Sequence, residues 1–278
     1  MSKIRSLIQQ ALTEDIGEGD HSSLASIPKD KNGQAQLLVK DHGIIAGLEV
    51  AKIIFDLLDT NCKIDFKLKD GDAIKSGDIA FTVKGSMRSI LKAERLVLNF
   101  MQRMSGIASH THFLSEKIKD FPTKLLDTRK TTPNFRLFEK LAVKIGGGEN
   151  HRFGLYDMIM LKDNHIDFAG GIESAMEKTV QYIQSNQLNL KIEVEARNLE
   201  EVQAILQTEK ADRIMLDNFS LSDLKKAIQL IGDKAETEAS GGITEDTILD
   251  YAKCGVDYIS VGALTHQIKS LDLSLKAI

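Results

Sequence analysis

The residues able to do chemistry follow short apolar runs in a regular way. KLLD leads to Arg129 and Lys130, DMIML to Lys162, and KIEVEA contains Glu195. DRIML leads to Asp217, AETEA to Ser240-Gly241-Gly242, and DYISV to Gly262. In a parallel βα barrel the strand ends converge on one face, where barrel active sites are built. Any one of these residues alone reads more simply as a surface charge, a helix cap or a turn. Their shared placement after apolar runs is what argues for one pocket.

Charge divides the work. Arg129, Lys130, His151, Arg152 and Lys162 suit carboxylates or a polyphosphate, because a guanidinium grips a planar oxyanion with two hydrogen bonds while an ammonium acts as a point charge. From Lys124 to His165 eight Lys or Arg stand against five Asp or Glu, a local excess inside a chain of net charge −4. Such an excess focuses a field on a small anion. Glu195 and Asp217 cannot bind that anion directly. They suit sugar hydroxyls, a Mg²⁺ ion carried by a phosphate, or positive charge developing during a reaction. The turns Ser240 to Gly242 and Ser260 to Gly262 offer backbone N–H groups at helix starts, a normal way to hold a phosphate monoester. A site of this kind takes a phosphorylated sugar together with an acidic small molecule.

The elements that must position these residues change character along the chain. Up to about residue 108 the pattern is mixed α+β, with helical faces at Ile4, Leu7, Ile8, Leu12 and at Leu48, Ala51, Ile54, Phe55, Leu58, and strands at QAQLLVK, CKIDFKL and DIAFTVKG. An apolar helix then runs from near Ser89 towards Gly106. From residue 123 seven short apolar runs alternate with helical segments: KLLD, AVKI, DMIML, KIEVE, DRIML, AETEA and DYISV. That rhythm predicts a parallel sheet covered on both faces. The region is shorter than the roughly 250 residues of a full eightfold barrel, so an incomplete one is expected. The division is residues 1–108 as an α+β domain, 109–266 as a barrel domain, and 267–278 packing back on the first.

At 278 residues, 42% hydrophobic and 27% charged, the chain can bury a large core. The acidic balance argues against nonspecific nucleic-acid binding. With no long uncharged apolar run and a polar amphipathic N-terminus, neither a membrane span nor a secretory signal is expected. Cys62 and Cys254 lack metal-ligand spacing and are expected as ordinary buried thiols of a reducing, cytoplasmic protein. The histidines of His110-Thr111-His112 read as helix-surface residues rather than ligands.

The strings LLDTRKTTPNFRLFEKLAVKIGGGENHRFGLYDMIMLKDNH, IEVEAR, IMLDNF, EASGGIT, ISVGALT and, upstream, ERLVLNFMQRMSGIAS together resemble the quinolinate phosphoribosyltransferases. The resemblance spans nearly the whole chain, and TRKTTP, HR, KDNH, LDN and SGGIT in this order are specific. It implies an α/β fold in which an N-terminal α+β open-sandwich domain accompanies an incomplete, seven-stranded barrel. It also implies the reaction: quinolinate and phosphoribosyl pyrophosphate give nicotinate mononucleotide, pyrophosphate and CO₂, with Mg²⁺, in de novo NAD biosynthesis.

By the same resemblance, Arg129, Lys130, His151, Arg152 and Lys162 bind the quinolinate carboxylates and the pyrophosphate, with Lys130 and Lys162 also catalytic. Glu195 and Asp217 are the catalytic acids near the ribose and its metal, and Ser240, Gly241, Gly242, Ser260 and Gly262 form the 5′-phosphate loops. Arg95 is expected to enter the neighbouring site of a homodimer or higher homo-oligomer. Ser22 and Ser109 stand where Thr is common, keeping the hydroxyl. Rival readings are a related phosphoribosyltransferase with another acceptor, a Schiff-base lyase using Lys162, and a catalytically silent binding protein.

Overall fold

In the computed structural model, which describes residues 3–278, the alternation in NGQAQLLV becomes a strand whose Ala35, Leu37 and Val39 are buried. A strand sends successive side chains to opposite faces, so this spacing covers one face only. The first unit comprises the residues up to His112, 131–147 and 264–278. Its elements are α1 (Lys3–Ile16), α2 (His21–Ser26), β1 (Asn32–Val39), β2 (Gly43–Ile44), α3 (Leu48–Leu58), β3 (Lys63–Phe66), β4 (Ala73–Ile74) and β5 (Ile79–Ser86). They are followed by α4 (Met87–Lys117), which is counted here up to His112, and by α5 (Arg136–Ile145). A last strand, Leu273–Ala277, pairs antiparallel with β1, placing Leu275 opposite Leu37. It completes a four-stranded sheet in the order last strand, β1, β5, β3. Leu37 faces Phe81 of β5, and Phe81 packs edge-on to Phe55 of α3 at 6.3 Å. The KSLDLSLKAI segment thus pairs with the open side of β1 and becomes the edge strand of the first sheet.

Residues AVKI are not a strand. They form the last turn of α5, where Phe138, Ala142 and Val143 are buried. A four-residue apolar run fits either period, and the preceding Phe138 and Leu141 extend it with helical spacing. Beside it, Glu139 is fully buried and accepts from Arg103 Nη2 at 2.8 Å and from the Thr132 N–H at 3.0 Å. Ser109, present where Thr is common, uses its hydroxyl to accept the Ile44 N–H at 2.8 Å.

The second unit comprises 113–130 and 148–263. Its elements are β6 (Lys124–Leu126), β7 (Ile159–Leu161), α6 (Asp163–Ala169), α7 (Ile172–Ser185), β8 (Ile192–Ala196), α8 (Leu199–Thr208), β9 (Arg213–Asp217), α9 (Leu221–Ile231), β10 (Glu236–Ser240), α10 (Ile248–Ala252) and β11 (Tyr258–Ser260). The strands form one parallel sheet in the order β6-β11-β10-β9-β8-β7. An isolated parallel bridge from Glu149 to Leu126 occupies the seventh position, where the sequence had offered AVKI. Among the described residues no ladder joins β7 to Glu149. Helices follow β7 to β10 in turn, as parallel pairing requires.

Among the described residues no helix is long and apolar enough to cross a membrane. Both cysteines are free. Cys62 is buried as expected, but Cys254 is only half-buried, because the end of α10 leaves it at the surface.

Candidate active site

Parallel strands end on one side, and the registers fix how those ends align. Ser240 at the tip of β10 pairs with Asp217 at the tip of β9, and Ser260 at the tip of β11 pairs with Leu126 at the tip of β6. The residues just beyond, Arg129 and Lys130 after β6, Lys162 after β7, and Gly241-Gly242 after β10, therefore leave the sheet at the same edge. Asn198 and Ser220 start the following helices by accepting the N–H of Glu201 at 2.9 Å and of Asp223 at 3.2 Å. These caps end β8 and β9 sharply and leave Glu195 and Asp217 at the rim.

Lys162 and Glu195 meet across neighbouring strands, Nζ to Oε2 at 2.8 Å, with the Glu195 side chain 8% exposed and Lys162 at 45%. Lys162 is itself set by His165, whose Nδ1 accepts its backbone N–H at 3.0 Å at the start of α6. This is the local reason for the KDNH string. Asp217 is half-buried, and its Oδ2 accepts from Asn218 Nδ2 at 2.7 Å. Asn218 adopts a left-handed φ of 56° and donates its backbone N–H to Ser240 O at 2.9 Å.

The LDN and SGG strings interlock at this point. Gly241 has φ +98°, and a Cβ there would stand 2.8 Å from the Asn218 backbone nitrogen, so only glycine fits. Gly242, also left-handed at +61°, has open space where its Cβ would be. The result is a short left-handed glycine loop beside a carboxylate, a backbone shape suited to a phosphate oxygen cluster.

The anion-binding side is built around Asp127, which is fully buried just past β6. Its Oδ1 accepts the His151 N–H at 2.8 Å, and its own N–H donates to Glu149 O at 3.1 Å. One carboxylate thereby ties the Arg129–Lys130 loop to the His151–Arg152 segment. Burial, and next the nearby positive charge of Arg129, hold the Arg152 guanidinium below the usual arginine range. Two like charges brought together in this way attract a bidentate anion that relieves their repulsion. Arg129 and Lys130 are exposed and Arg152 half-buried.

Three of the expected positions differ in detail. His151 is buried and its ring faces Glu193 and Glu238 at 3.0 and 3.3 Å, inward from the strand tips. Ser260 is buried, with its hydroxyl against Glu238, so only its backbone faces the loop. Arg95 is exposed on α4 in the first unit. Sequence reading passed over Asp127, Asn218, Glu193, Arg213 and Glu238. The period-two spacing of Glu193 with Glu195 was the available signal, since it puts both acids on one face of β8.

Two family models match the chain: "Quinolinate phosphoribosyl transferase, N-terminal domain" over residues 20–105 and "Quinolinate phosphoribosyl transferase, C-terminal domain" over residues 107–276. A Nicotiana tabacum protein named a decarboxylating quinolinate phosphoribosyltransferase, 1b, is 45% identical over 288 residues, covering 98% of this chain and 82% of its own. A probable carboxylating nicotinate-nucleotide pyrophosphorylase of Bacillus subtilis (strain 168) is 41% identical over 273 residues, covering 98% and 93%. The solved nicotinate-nucleotide pyrophosphorylase of Francisella tularensis superposes with a TM-score of 0.92 at 41% identity, over 99% of this chain and 96% of that one.

Proposed function

The chain belongs to the quinolinate phosphoribosyltransferase family, and from that premise we propose how the strand tips of its second unit perform the family's reaction. The enzyme transfers phosphoribose from phosphoribosyl pyrophosphate to quinolinate with decarboxylation, yielding nicotinate mononucleotide, pyrophosphate and CO₂, a step of de novo NAD biosynthesis. The observation that carries the assignment of roles is the convergence of the Lys162–Glu195 pair, Asp217 and the Gly241-Gly242 loop at one edge of a parallel sheet, with Arg129 and Arg152 on loops stitched by Asp127.

Arg129 and Arg152 take the two quinolinate carboxylates, and Lys130 with Lys162 faces the pyrophosphate. The Gly241-Gly242 loop, with the backbone at Ser240, Ser260 and Gly262, holds the 5′-phosphate. The bond from the ribose C1 to pyrophosphate breaks with its electron pair leaving on the pyrophosphate oxygen. Glu195 and Asp217 stabilise the positive charge that develops on the ribose. The pyridine nitrogen lone pair then forms the new bond to C1. The quaternised ring accepts the electron pair released when the adjacent carboxylate departs as CO₂, and a proton takes its place. The residues mainly orient two anions against their mutual repulsion.

Mg²⁺ fits this site as a visitor rather than a resident. Glu195 is already ion-paired to Lys162, and Asp217 offers a carboxylate beside the phosphate loop, which suits a cation that keeps most of its waters and arrives on the substrate. When bound it would neutralise the leaving pyrophosphate. The same proposal includes a homodimer, with Arg95 of one copy reaching the neighbouring site, and a cytoplasmic setting, in keeping with two free cysteines.

The Schiff-base alternative is disfavoured because an ammonium held by a carboxylate at 2.8 Å has no lone pair to offer a carbonyl. The related-transferase alternative is tested by an acceptor series. Quinolinate should turn over at least about tenfold more efficiently than nicotinate, because a lone carboxylate leaves one of the two arginines unpaired. Equal or better use of nicotinate would assign the site to the other acceptor.

A further inference from the structure

Barrel interiors are ordinarily filled by branched apolar side chains. Here β8, β9 and β10 each send a charged side chain to a common buried set. Arg213 Nη1 lies 3.2 Å from Glu238 Oε2 and 4.0 Å from Glu193 Oε2. The same two carboxylates stand 3.3 and 3.0 Å from His151 Nε2. Both glutamates are fully buried, His151 is 8% exposed and Arg213 7%. Apolar packing of equal volume is often as stable as a buried ion pair, so stability gives little reason to retain four such groups. His151 and the two glutamates also have the grouping of a cation site, but Arg213 already sets a positive charge against both carboxylates while its Nη2 pairs with Glu236 at 3.1 Å.

The His151 ring is held on both nitrogens. Its Nδ1 accepts the Arg152 backbone N–H at 2.6 Å, while Nε2 faces the carboxylates. Its backbone N–H is fixed by Asp127, and the Ser260 hydroxyl steadies Glu238 from β11. Burial alone would lower the pKa of His151, but Glu193 and Glu238 outweigh it and raise it. The Arg152 amide takes Nδ1, which leaves Nε2 as the nitrogen turned to the two carboxylates. With Nδ1 taken by the Arg152 amide and Nε2 turned to Glu193 and Glu238, the buried ring presents neither nitrogen to a substrate carboxylate.

We infer that Glu193, Glu238 and Arg213 are positioning residues that pin the His151 ring, so that His151 in turn aims Arg152 at the acceptor, in place of the direct anion contact the sequence suggests for His151. The inference rests on the reading of the strand tips as a quinolinate site. It predicts that this buried set controls the acceptor and not the phosphoribosyl donor, although Glu238 shares β10 with Ser240.

Glu238→Gln keeps the side-chain shape and removes one charge from the set. Calorimetric titration of the full-length variant should show quinolinate affinity weakened by about tenfold or more, because a small displacement of an orienting group is costly. Affinity for phosphoribosyl pyrophosphate should stay within about twofold, and kcat should change less than KM for quinolinate. Unchanged quinolinate affinity in the folded variant overturns the inference, and so does an equal loss for both substrates, which marks a general structural role. If Glu238→Gln does not fold, the double variant R213Q/E238Q removes one charge of each sign and is held to the same outcomes. A wild-type protein that binds no quinolinate overturns the site reading itself and this inference with it, whereas wild-type binding with an indifferent variant overturns only the inference.

Discussion

Glu195→Gln should lower kcat by about 10²- to 10³-fold, the cost of removing one preorganised group from a developing charge. The substitution preserves shape and leaves an oxygen to accept from Lys162 Nζ, now 2.8 Å from the Glu195 carboxylate. What it removes is the negative charge, at a position where the side chain is 8% exposed and so poorly screened by water. Because that charge matters most when the ribose becomes cationic, KM for both substrates should move far less than kcat. If Glu195 serves only to orient Lys162, Gln does that work nearly as well and kcat drops by less than about tenfold. Steady-state kinetics with each substrate varied in turn separates the two.

The second large effect is expected at Arg129. Arg129→Ala should cost about 2 to 5 kcal/mol of quinolinate binding, because it strands a desolvated carboxylate in the closed complex. In the ligand-free chain Arg129 is exposed and its charge bears on Arg152, so the loss should appear on binding and not on folding. Thermal melting of the variant should stay close to wild type. A tenfold effect or less on quinolinate affinity and turnover would remove Arg129 from the proposed role.

The strands that carry the site were legible because parallel strands covered on both faces read as apolar runs. KLLD, DMIML, KIEVE, DRIML, AETEA and DYISV all lie in or across β6 to β11. AVKI failed for a local reason: four apolar residues do not distinguish a strand from the last turn of α5. The functional strings were legible through resemblance, and the structure supplies the physical cause of several of them. Gly241 is required by the approach of Asn218, and His165 by the Lys162 amide it caps.

The buried ionic set was not legible, and the reason is general. Alternation such as Ile192-Glu193-Val194-Glu195-Ala196 ordinarily means a strand with one wet face. Here all five residues are buried, the acids as completely as the apolar residues. Polar partners from three other segments, the His151 ring, the Arg213 guanidinium and the Ser260 hydroxyl, are what make that interior tolerable. No window of sequence contains those partners together, so only the register of the parallel sheet brings them into view.

The central claim is that one edge of this sheet joins quinolinate to phosphoribose. The most direct measurement is to incubate the purified protein with ring-labelled quinolinate, phosphoribosyl pyrophosphate and Mg²⁺ and to follow nicotinate mononucleotide, pyrophosphate and CO₂ together. All three should appear in equal amounts, and omitting either organic substrate should abolish all three. Pyrophosphate release without labelled mononucleotide, or no turnover from a folded protein, would contradict the account.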